Sequence, residues 1–254
     1  MRLRRLATAV AAAFGVVVAV ASPAAAVAHG TLASPGQYPF AVKLTMTGIP
    51  RTDGTTYSSA CSAALISPTW IVTAGHCFHD VARNRVSGPT PYATTATLNT
   101  VDVTRNPGET RRVVYVRQSA TNDIALAQLS APVTDVAPLQ LPTSAPAAGQ
   151  LLTLAGWGAT SSTNPAPSSQ LRTGVVRVTS VGSSTALVTG YSPSRDTSAC
   201  LYDSGAPYLR SVSGVLRLVS VESTGPHCPH TANETTSRVD VVAGWVRTVV
   251  PDLP

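Results

Sequence analysis

Three short segments of the 254-residue chain carry residue types that could act together as a nucleophile, a base and an acid. His76 follows an apolar run, Asp123 opens a second apolar run, and Ser204 lies in an Asp-Ser-Gly tripeptide. A serine hydroxyl attacks an acyl group only when a base removes its proton, and histidine titrates near neutral pH. A carboxylate beside the imidazole fixes its tautomer and stabilises the imidazolium. The order His, Asp, Ser is one known arrangement of such a triad.

Each segment alone has an ordinary structural interpretation. A histidine beside a buried strand is more often structural than catalytic. An aspartate at the start of a strand is usually a turn or capping residue, and Asp-Ser-Gly is a common turn. The combination of the three is much less common than any one of them, and it is the combination that indicates acyl-transfer chemistry.

The elements that must position these residues are short strands. From Val27 onward, β-type runs alternate with turn-rich stretches that contain many of the 20 prolines and 18 glycines. Examples of such runs lie at 40–44, 63–66, 70–73, 112–116, 124–129, 151–154, 174–178 and 215–221. Only the end is typical of a helix, which Asp240 could cap and Pro251 would stop. The sequence predicts an all-β body with a C-terminal helix over about 240–250.

The first 26 residues have the order of a secretory signal. A basic start precedes an almost unbroken apolar run over 6–21, and small residues follow with a cleavage pattern that ends at Ala26. A membrane anchor is the alternative, but the run is short for a span and lacks a charged stop. Export would place the four cysteines where disulfides persist. We therefore expect a signal peptide over 1–26 that is removed, and a secreted, extracellular protein.

Charge and composition exclude other classes of protein. The formal net charge of +6 includes three arginines of the signal segment, whose removal leaves +3. No cluster of arginines interleaved with aromatic residues remains, so nucleic-acid binding has no support. Only 12% of residues are charged and 44% are hydrophobic, which is not the composition of a disordered chain.

With these motifs the sequence resembles the chymotrypsin/trypsin family of serine proteases over nearly the whole mature chain. Thr-Ala-Gly-His76-Cys77, Asn-Asp123-Ile-Ala-Leu and Asp203-Ser204-Gly205 match the three triad motifs in order. Further matches are the Gly-Trp-Gly turn at 156–158, the closing strand and helix at 238–246, and the amino-terminal pattern at 27–42. We expect a secreted family member of bacterial origin.

The resemblance implies a chymotrypsin-like fold of two packed six-stranded antiparallel β-barrels with the site in the cleft between them. The protease domain would cover 27–254, with the first barrel at about 27–135 and the second at about 136–239.

The resemblance also assigns roles to individual residues. His76 would be the general base, Asp123 the residue that orients it and Ser204 the nucleophile. The backbone N–H groups of Tyr202 and Ser204 would form the oxyanion hole, although the family has glycine where Tyr202 stands. A left-handed backbone costs a non-glycine residue about 1–2 kcal/mol, so the sequence leaves the geometry of the hole open.

An activating ion pair is implied between Asp203 and a new amino terminus at Val27. Cleavage after Ala26 would expose Val27 directly, without a propeptide, and the enzyme would be active once exported and folded. Cleavage after Ala28 is the alternative, and it would begin the mature chain at His29.

The family pattern pairs the cysteines as Cys61–Cys77 and Cys200–Cys228. A Cys/His zinc site is the alternative, because Cys77 lies between His76 and His79 and Cys228 lies between two further histidines, His227 and His230. Zinc usually needs four converging ligands, so we expect no metal and no cofactor.

A specificity pocket is implied for the substrate residue on the acyl side of the scissile bond. Alignment on the Cys200 motif places Ser198 at its base, Ser220 and Glu222 on a wall, and Glu234 near another pocket position. A serine at the base offers no charge, so the default expectation is an apolar or aromatic preference. Two alternatives stay open: both glutamates face solvent, as most do, or one of them narrows the pocket and restores a preference for basic residues.

We expect a monomeric, secreted serine endopeptidase that acts on peptide or protein substrates and has protein protease inhibitors as further partners. No nucleic-acid partner is expected, and no membrane partner after the signal is removed. A secreted esterase or other acyl transferase with the same triad is one alternative, and a non-catalytic binding protein on a protease fold is another. Fold alone does not separate them.

Overall fold

The β-type runs of the sequence form fourteen strands in a computed structural model that describes residues 27–254. The expected signal peptide over 1–26 lies outside the described residues. In chain order the strands are β1 (Thr31–Leu32), β2 (Ala41–Pro50), β3 (Thr56–Ser67), β4 (Trp70–Thr73), β5 (Gly88–Pro89), β6 (Ala93–Leu98), β7 (Glu109–Gln118), β8 (Ala125–Leu129), β9 (Leu151–Gly156), β10 (Arg172–Val181), β11 (Thr185–Ser192), β12 (Pro207–Val212), β13 (Val215–Thr224) and β14 (Glu234–Arg238).

The first barrel is built from antiparallel strands in the order β7-β6-β2-β3-β4-β8, and it closes where β7 pairs with β8. The two-residue strand β5 adds to the outside of β7. Strands such as β6 alternate exposed or half-buried residues with buried ones, because successive side chains point to opposite faces of a sheet. Closure leaves neither end strand of this sheet unpaired.

The second barrel follows the same plan with the order β10-β11-β14-β13-β12-β9, and it closes where β10 pairs with β9. The short strand β1 from the amino-terminal segment pairs with β10. The expected chymotrypsin-like class of two six-stranded antiparallel barrels is therefore confirmed.

The apolar core has two parts. The larger cluster fills the first barrel and continues to the C-terminal helix, and it includes Phe78 and Leu126, both fully buried. The smaller cluster lies inside the second barrel and includes Tyr208 and Val188. Val27 belongs to this second cluster and is completely buried, so the first described residue is held inside the second barrel.

The chain ends in helical structure over 240–249, close to the predicted range, but its first turn is a 3₁₀ turn. A 3₁₀ turn covers Asp240–Val242, and the helix α1 covers Ala243–Val249. Asp240 does not cap either element. Its carboxylate instead pairs with the guanidinium of Arg238, with 2.6 Å between Nη2 and Oδ2, so its oxygens face the end of β14 rather than the helix N–H groups. No helix among the described residues is long and apolar enough to span a bilayer.

Candidate active site

His76 is positioned by the end of β4. The strand stops at Thr73, and a 3₁₀ turn over Gly75–Cys77 follows directly. Cys77 forms a disulfide with Cys61 on the neighbouring strand β3, so the turn that carries His76 is tied to the barrel wall. By the chain-entropy estimate, closing a loop of this size stabilises the fold by roughly 3 kcal/mol.

Asp123 holds His76 through two hydrogen bonds. The ring Nδ1 of His76 lies 2.7 Å from Oδ2 of Asp123, and the backbone N–H of His76 donates to Oδ1 at 2.8 Å. A Cβ atom at Gly75 would lie 2.9 Å from the same Oδ1, so a larger residue there would press on the carboxylate that holds His76. The imidazole is thereby fixed in orientation, with Nε2 left for another partner.

The carboxylate of Asp123 is stabilised in its ionised form. Burial raises its pKa, but the hydrogen bond and charge of His76, together with a hydrogen bond from Ser223, outweigh burial and lower the pKa below its usual value. Ser223 Oγ donates to Oδ2 at 2.7 Å, and the Arg85 guanidinium lies 3.7 Å from Oδ1. An ionised Asp123 favours the tautomer of His76 with its proton on Nδ1.

Ser204 completes the chain of contacts, because its Oγ lies 2.8 Å from Nε2 of His76. The next residue, Gly205, has φ +83°, and a Cβ atom there would lie 2.1 Å from the Thr73 hydroxyl oxygen. Asp-Ser-Gly is therefore a tight turn that presents Ser204 to a histidine from the other barrel. The structure brings together the three residues that the sequence predicted.

Tyr202 adopts the left-handed backbone that its position needs, with φ +76°. Its carbonyl accepts a hydrogen bond from the Ser62 hydroxyl at 3.2 Å, and its own hydroxyl lies 3.5 Å from the carbonyl of Pro165. Within 27–254, neither the N–H of Tyr202 nor that of Ser204 donates to another backbone group. Both N–H groups are thus left for a ligand.

Asp203 is completely buried directly before Ser204. The backbone N–H groups of Gly158 and Cys200 donate to its carboxylate at 2.8 and 3.0 Å. A Cβ atom at Gly158 would lie 2.4 Å from that carboxylate, which explains one glycine of the Gly-Trp-Gly motif. Burial raises the pKa of Asp203 to about 7, although the N–H groups of Gly158, Cys200 and Val27 oppose the shift.

A cavity of about 410 Å³ opens beside the triad. His76 and Ser204 lie at one side of it, and Glu222 forms part of its wall. The remaining lining residues are Ser162, Ala199, Cys200, Leu201, Ser223, Thr224, Gly225, Pro226 and His227. The cavity therefore opens directly beside the Ser204 hydroxyl.

Two predicted pocket residues, Ser198 and Ser220, are not part of this lining. Both are almost completely buried, and the Ser220 hydroxyl has no hydrogen-bond partner in the described chain. Ser220 lies away from the cavity because β13, which was expected to end at Val221, continues to Thr224. Ser223 therefore lies beside the triad in place of Ser220. The sequence analysis missed the role of Ser223.

Glu222 and Glu234 are buried, with 3% and 1% of their surfaces exposed, so the alternative that both face solvent is excluded. They converge on the hydroxyl of Tyr208, at 2.7 Å from Oε2 of Glu222 and 2.9 Å from Oε2 of Glu234. Tyr208 was not predicted as a site residue. Its only sequence signal is its place four residues after Ser204, at the start of β12.

The cysteines are paired as the resemblance implied, Cys61 with Cys77 and Cys200 with Cys228. A disulfide sulfur is not the thiolate that zinc binds, so these pairs exclude the Cys/His zinc alternative. No group of three potential metal-ligating side chains occurs in the described part of the chain.

Asp203 should make stability depend on pH in a chain that still carries Ala26 before Val27. The folded pKa of about 7 lies above the ordinary 3.8, so the contribution to stability is full below pH 3.8 and is lost as pH rises through about 7. Each pKa unit corresponds to about 1.4 kcal/mol, so we expect the free energy of unfolding to fall by a few kcal/mol.

Urea unfolding between pH 4 and 8, with Asp203→Asn as the matched control, measures this loss. In a chain that begins at Val27, the α-ammonium group would supply a positive charge to the carboxylate, and the loss should be much smaller. Equal pH profiles for the two forms would contradict the expectation.

A family model described as Trypsin matches residues 27–246. Trypsin-2 of Salmo salar is 32% identical over 108 residues, which cover 40% of this chain and 44% of that protein. A snake venom serine protease, HS114 of Bothrops jararaca, is 32% identical over 103 residues, covering 39% and 38%. Transmembrane protease serine 7 of Mus musculus is 30% identical over 249 residues, covering 88% and 28%.

The chain thus spans less than half of the length of these relatives. All three are animal proteins, so the bacterial origin expected from the sequence stays a prediction. The match over 27–246 includes both barrels and all three residues of the hydrogen-bonded triad, and by this match the chain belongs to the trypsin family of serine proteases.

Proposed function

We propose that the chain is a secreted serine endopeptidase that hydrolyses peptide bonds through an acyl-enzyme on Ser204. The observation that carries the proposal is the unbroken line of hydrogen bonds from Asp123 through His76 to Ser204, with 2.7 and 2.8 Å between the heavy atoms. This line connects a stabilised carboxylate, a base and a hydroxyl in the order that acyl transfer requires.

The proposed reaction begins when His76 Nε2 takes the proton of the Ser204 hydroxyl as Oγ attacks the carbonyl carbon of the scissile bond. The carbonyl oxygen becomes an oxyanion and accepts hydrogen bonds from the N–H groups of Tyr202 and Ser204. His76 then gives its proton to the leaving amine, and the C–N bond breaks. Water then attacks the acyl carbon while His76 takes its proton, and His76 passes that proton to Ser204 Oγ as the ester bond breaks and the acid product leaves.

Asp123 stabilises the imidazolium that forms in both halves of this cycle. Its ionised state is supported by the hydrogen bond from Ser223, so Ser223 is a positioning residue that acts on the reaction through Asp123.

The left-handed backbone of Tyr202 supports an active enzyme over a non-catalytic binding protein. In this conformation the side chain reaches toward Pro165, and the N–H stays free for the oxyanion. Tyr202 therefore occupies the glycine position without closing the proposed oxyanion hole.

Ser204→Ala and His76→Ala should each abolish covalent labelling by a fluorophosphonate and nearly all hydrolysis of peptide amides, because the two residues act as one unit. Asp123→Asn should keep the fold and lower kcat by roughly 10⁴-fold, because the amide favours the wrong imidazole tautomer. Ser220→Ala is the control, since this serine is buried and its hydroxyl makes no hydrogen bond to the triad or to any other described residue.

The control should label and turn over as the unchanged protein does. Labelling that persists in Ser204→Ala would reject Ser204 as the nucleophile. Hydrolysis of simple esters without any hydrolysis of peptide amides would show that the protein is an esterase and not an endopeptidase.

Tyr202→Gly should change kcat for a peptide amide by less than about threefold, because Tyr202 already holds the required backbone angle. A lost oxyanion donor would cost about 100- to 1000-fold, so the two cases are well separated. Tyr202→Phe is the matched control that removes only the contact of the hydroxyl with Pro165. A gain of 100-fold or more in the glycine variant would show that tyrosine distorts the hole.

Secretion and processing are part of the proposal. We infer that a signal peptide over 1–26 is removed and that the amino group of Val27 then pairs with Asp203. Support comes from the complete burial of Val27 and from its N–H, which already faces the Asp203 carboxylate. The protein would act outside the cell as a monomer on protein substrates, and the proposed source is bacterial.

Amino-terminal sequencing of the exported protein should give Val27 as the first residue, because only that terminus places an α-amino group at Asp203. Activity of this material without further proteolysis would agree with the absence of a propeptide. A start at His29 would contradict the proposed pairing.

A further inference from the structure

Beneath the cavity, two glutamates and a tyrosine form a buried acidic cluster that the proposed catalytic cycle does not use. Glu222 lies on β13, Glu234 on β14 and Tyr208 on β12, which are neighbouring strands of the second barrel. No more than 3% of the surface of Tyr208, Glu222 or Glu234 is exposed. Buried carboxyl groups this close to one another are costly unless a proton or a cation compensates their charge.

The hydrogen bonds require one extra proton in the cluster. The phenol has a single O–H, yet its oxygen lies within hydrogen-bond distance of both Glu222 and Glu234. Tyr208 can donate to one carboxylate only, and the other carboxyl must donate to the phenolic oxygen or face it with repulsion. The arrangement therefore holds a protonated carboxyl, a phenol and a carboxylate in series.

The contacts of the two carboxyl groups make Glu222 the better place for this proton. Glu234 also accepts the N–H of Ala199 and lies 3.4 Å from Nε2 of His230, so its negative charge has two further partners. Among the described residues, Glu222 has Tyr208 as its only side-chain hydrogen-bond partner. Burial, and then the charge of Glu234, raise the pKa of Glu222 well above its ordinary value.

Glu222 is also the member that a substrate side chain can reach. It lines the cavity that Ser204 and His76 share, whereas Glu234 and Tyr208 lie behind it. Among residues 27–254, no arginine or lysine lines this cavity, and the other titratable side chains in its lining are His76 and His227. A cationic group that entered the cavity would meet Glu222 without competition from a resident arginine or lysine.

We propose that Glu222, held by Tyr208 and Glu234, binds the cationic side chain of an arginine or lysine on the acyl side of the scissile bond. Binding of the cation releases the proton of Glu222 to solvent, so the cluster changes from one negative charge to two as the positive charge arrives. The proposal rests on the proposed peptidase function and replaces the apolar preference expected from Ser198. The charge comes from the wall strand β13 and not from the base of the pocket.

The pH dependence follows from the groups that surround Glu222. Glu234, Asp203 and Asp123 each place negative charge near it and favour its protonated form, while His230 pairs with Glu234. Because the proton must leave for the cation to bind, the preference for a basic residue should increase with pH. His76 affects all substrates alike, so its titration cancels in a ratio of two substrates.

The first test uses the chain that begins at Val27 and peptide amides that differ only in having arginine or its neutral isostere citrulline on the acyl side. We expect kcat/KM for the arginine substrate to exceed that for the citrulline substrate by roughly 100-fold at pH 8, because Glu222 and the guanidinium would form a desolvated charge pair. At pH 6 the ratio should be smaller. Glu222→Gln should reduce this ratio about 100-fold, and the ratio does not depend on the fraction of folded enzyme. Glu109→Gln, a carboxylate on the first barrel, is the matched control and should leave the ratio unchanged.

The second test does not require catalysis. Calorimetry on the Ser204→Ala chain should show that phenylguanidine binds and releases a proton, while its neutral isostere phenylurea binds at least tenfold more weakly. Equal binding of the two probes, or an arginine-to-citrulline ratio near one in the unchanged enzyme, would overturn the cation site. Selective binding of phenylguanidine without any peptide hydrolysis would keep the cation site and reject the peptidase function.

Discussion

The burial of the Asp203 carboxylate is the constraint on which the rest of the site depends. A carboxylate enclosed in a barrel must be surrounded by donors, and here the donors are backbone N–H groups at Gly158, Cys200 and Val27. The glycine turn, the second disulfide and the amino-terminal segment are thus all fixed around one side chain. Ser204 follows directly in the chain, so its position is set by the same contacts.

The two barrels contribute different parts of the triad, and a few cross-contacts set their relative position. Ser62 of the first barrel receives a hydrogen bond from Trp157 N–H at 3.0 Å, and its own N–H donates to the carbonyl of Ser204 at 2.9 Å. Asn122 donates to the carbonyl of Arg238 at 2.8 Å, next to Asp123. These contacts lie close to the reacting atoms, so a small change in barrel packing would change the distance between His76 and Ser204.

Local patterns in the sequence were sufficient for the short strands and the three triad motifs, whereas the two barrels were implied by the family resemblance. The short strands and the His76 and Ser204 motifs are readable within a few residues, and the cysteine pairing was implied by the same resemblance. The position of the pocket wall could not be predicted from local patterns, because it depends on where β13 ends. The strand has a bulge near Thr224 and continues past Val221. The same limit hid Ser223 and Tyr208, whose partners Asp123 and Glu234 lie far away in the sequence. Likewise, nothing in the sequence indicated that Asp240 would pair with Arg238 instead of capping the helix.

Glu222 serves two purposes with two different parts of one residue. Its backbone carbonyl accepts the N–H of Gly205 at 2.8 Å and so supports the turn that carries Ser204, while its side chain faces the cavity. A main-chain contact of this kind is available to any residue type. Under the proposed function, exchanging the side chain would alter what the cavity accepts while the support of the serine turn is retained, so this position would separate substrate choice from the chemistry.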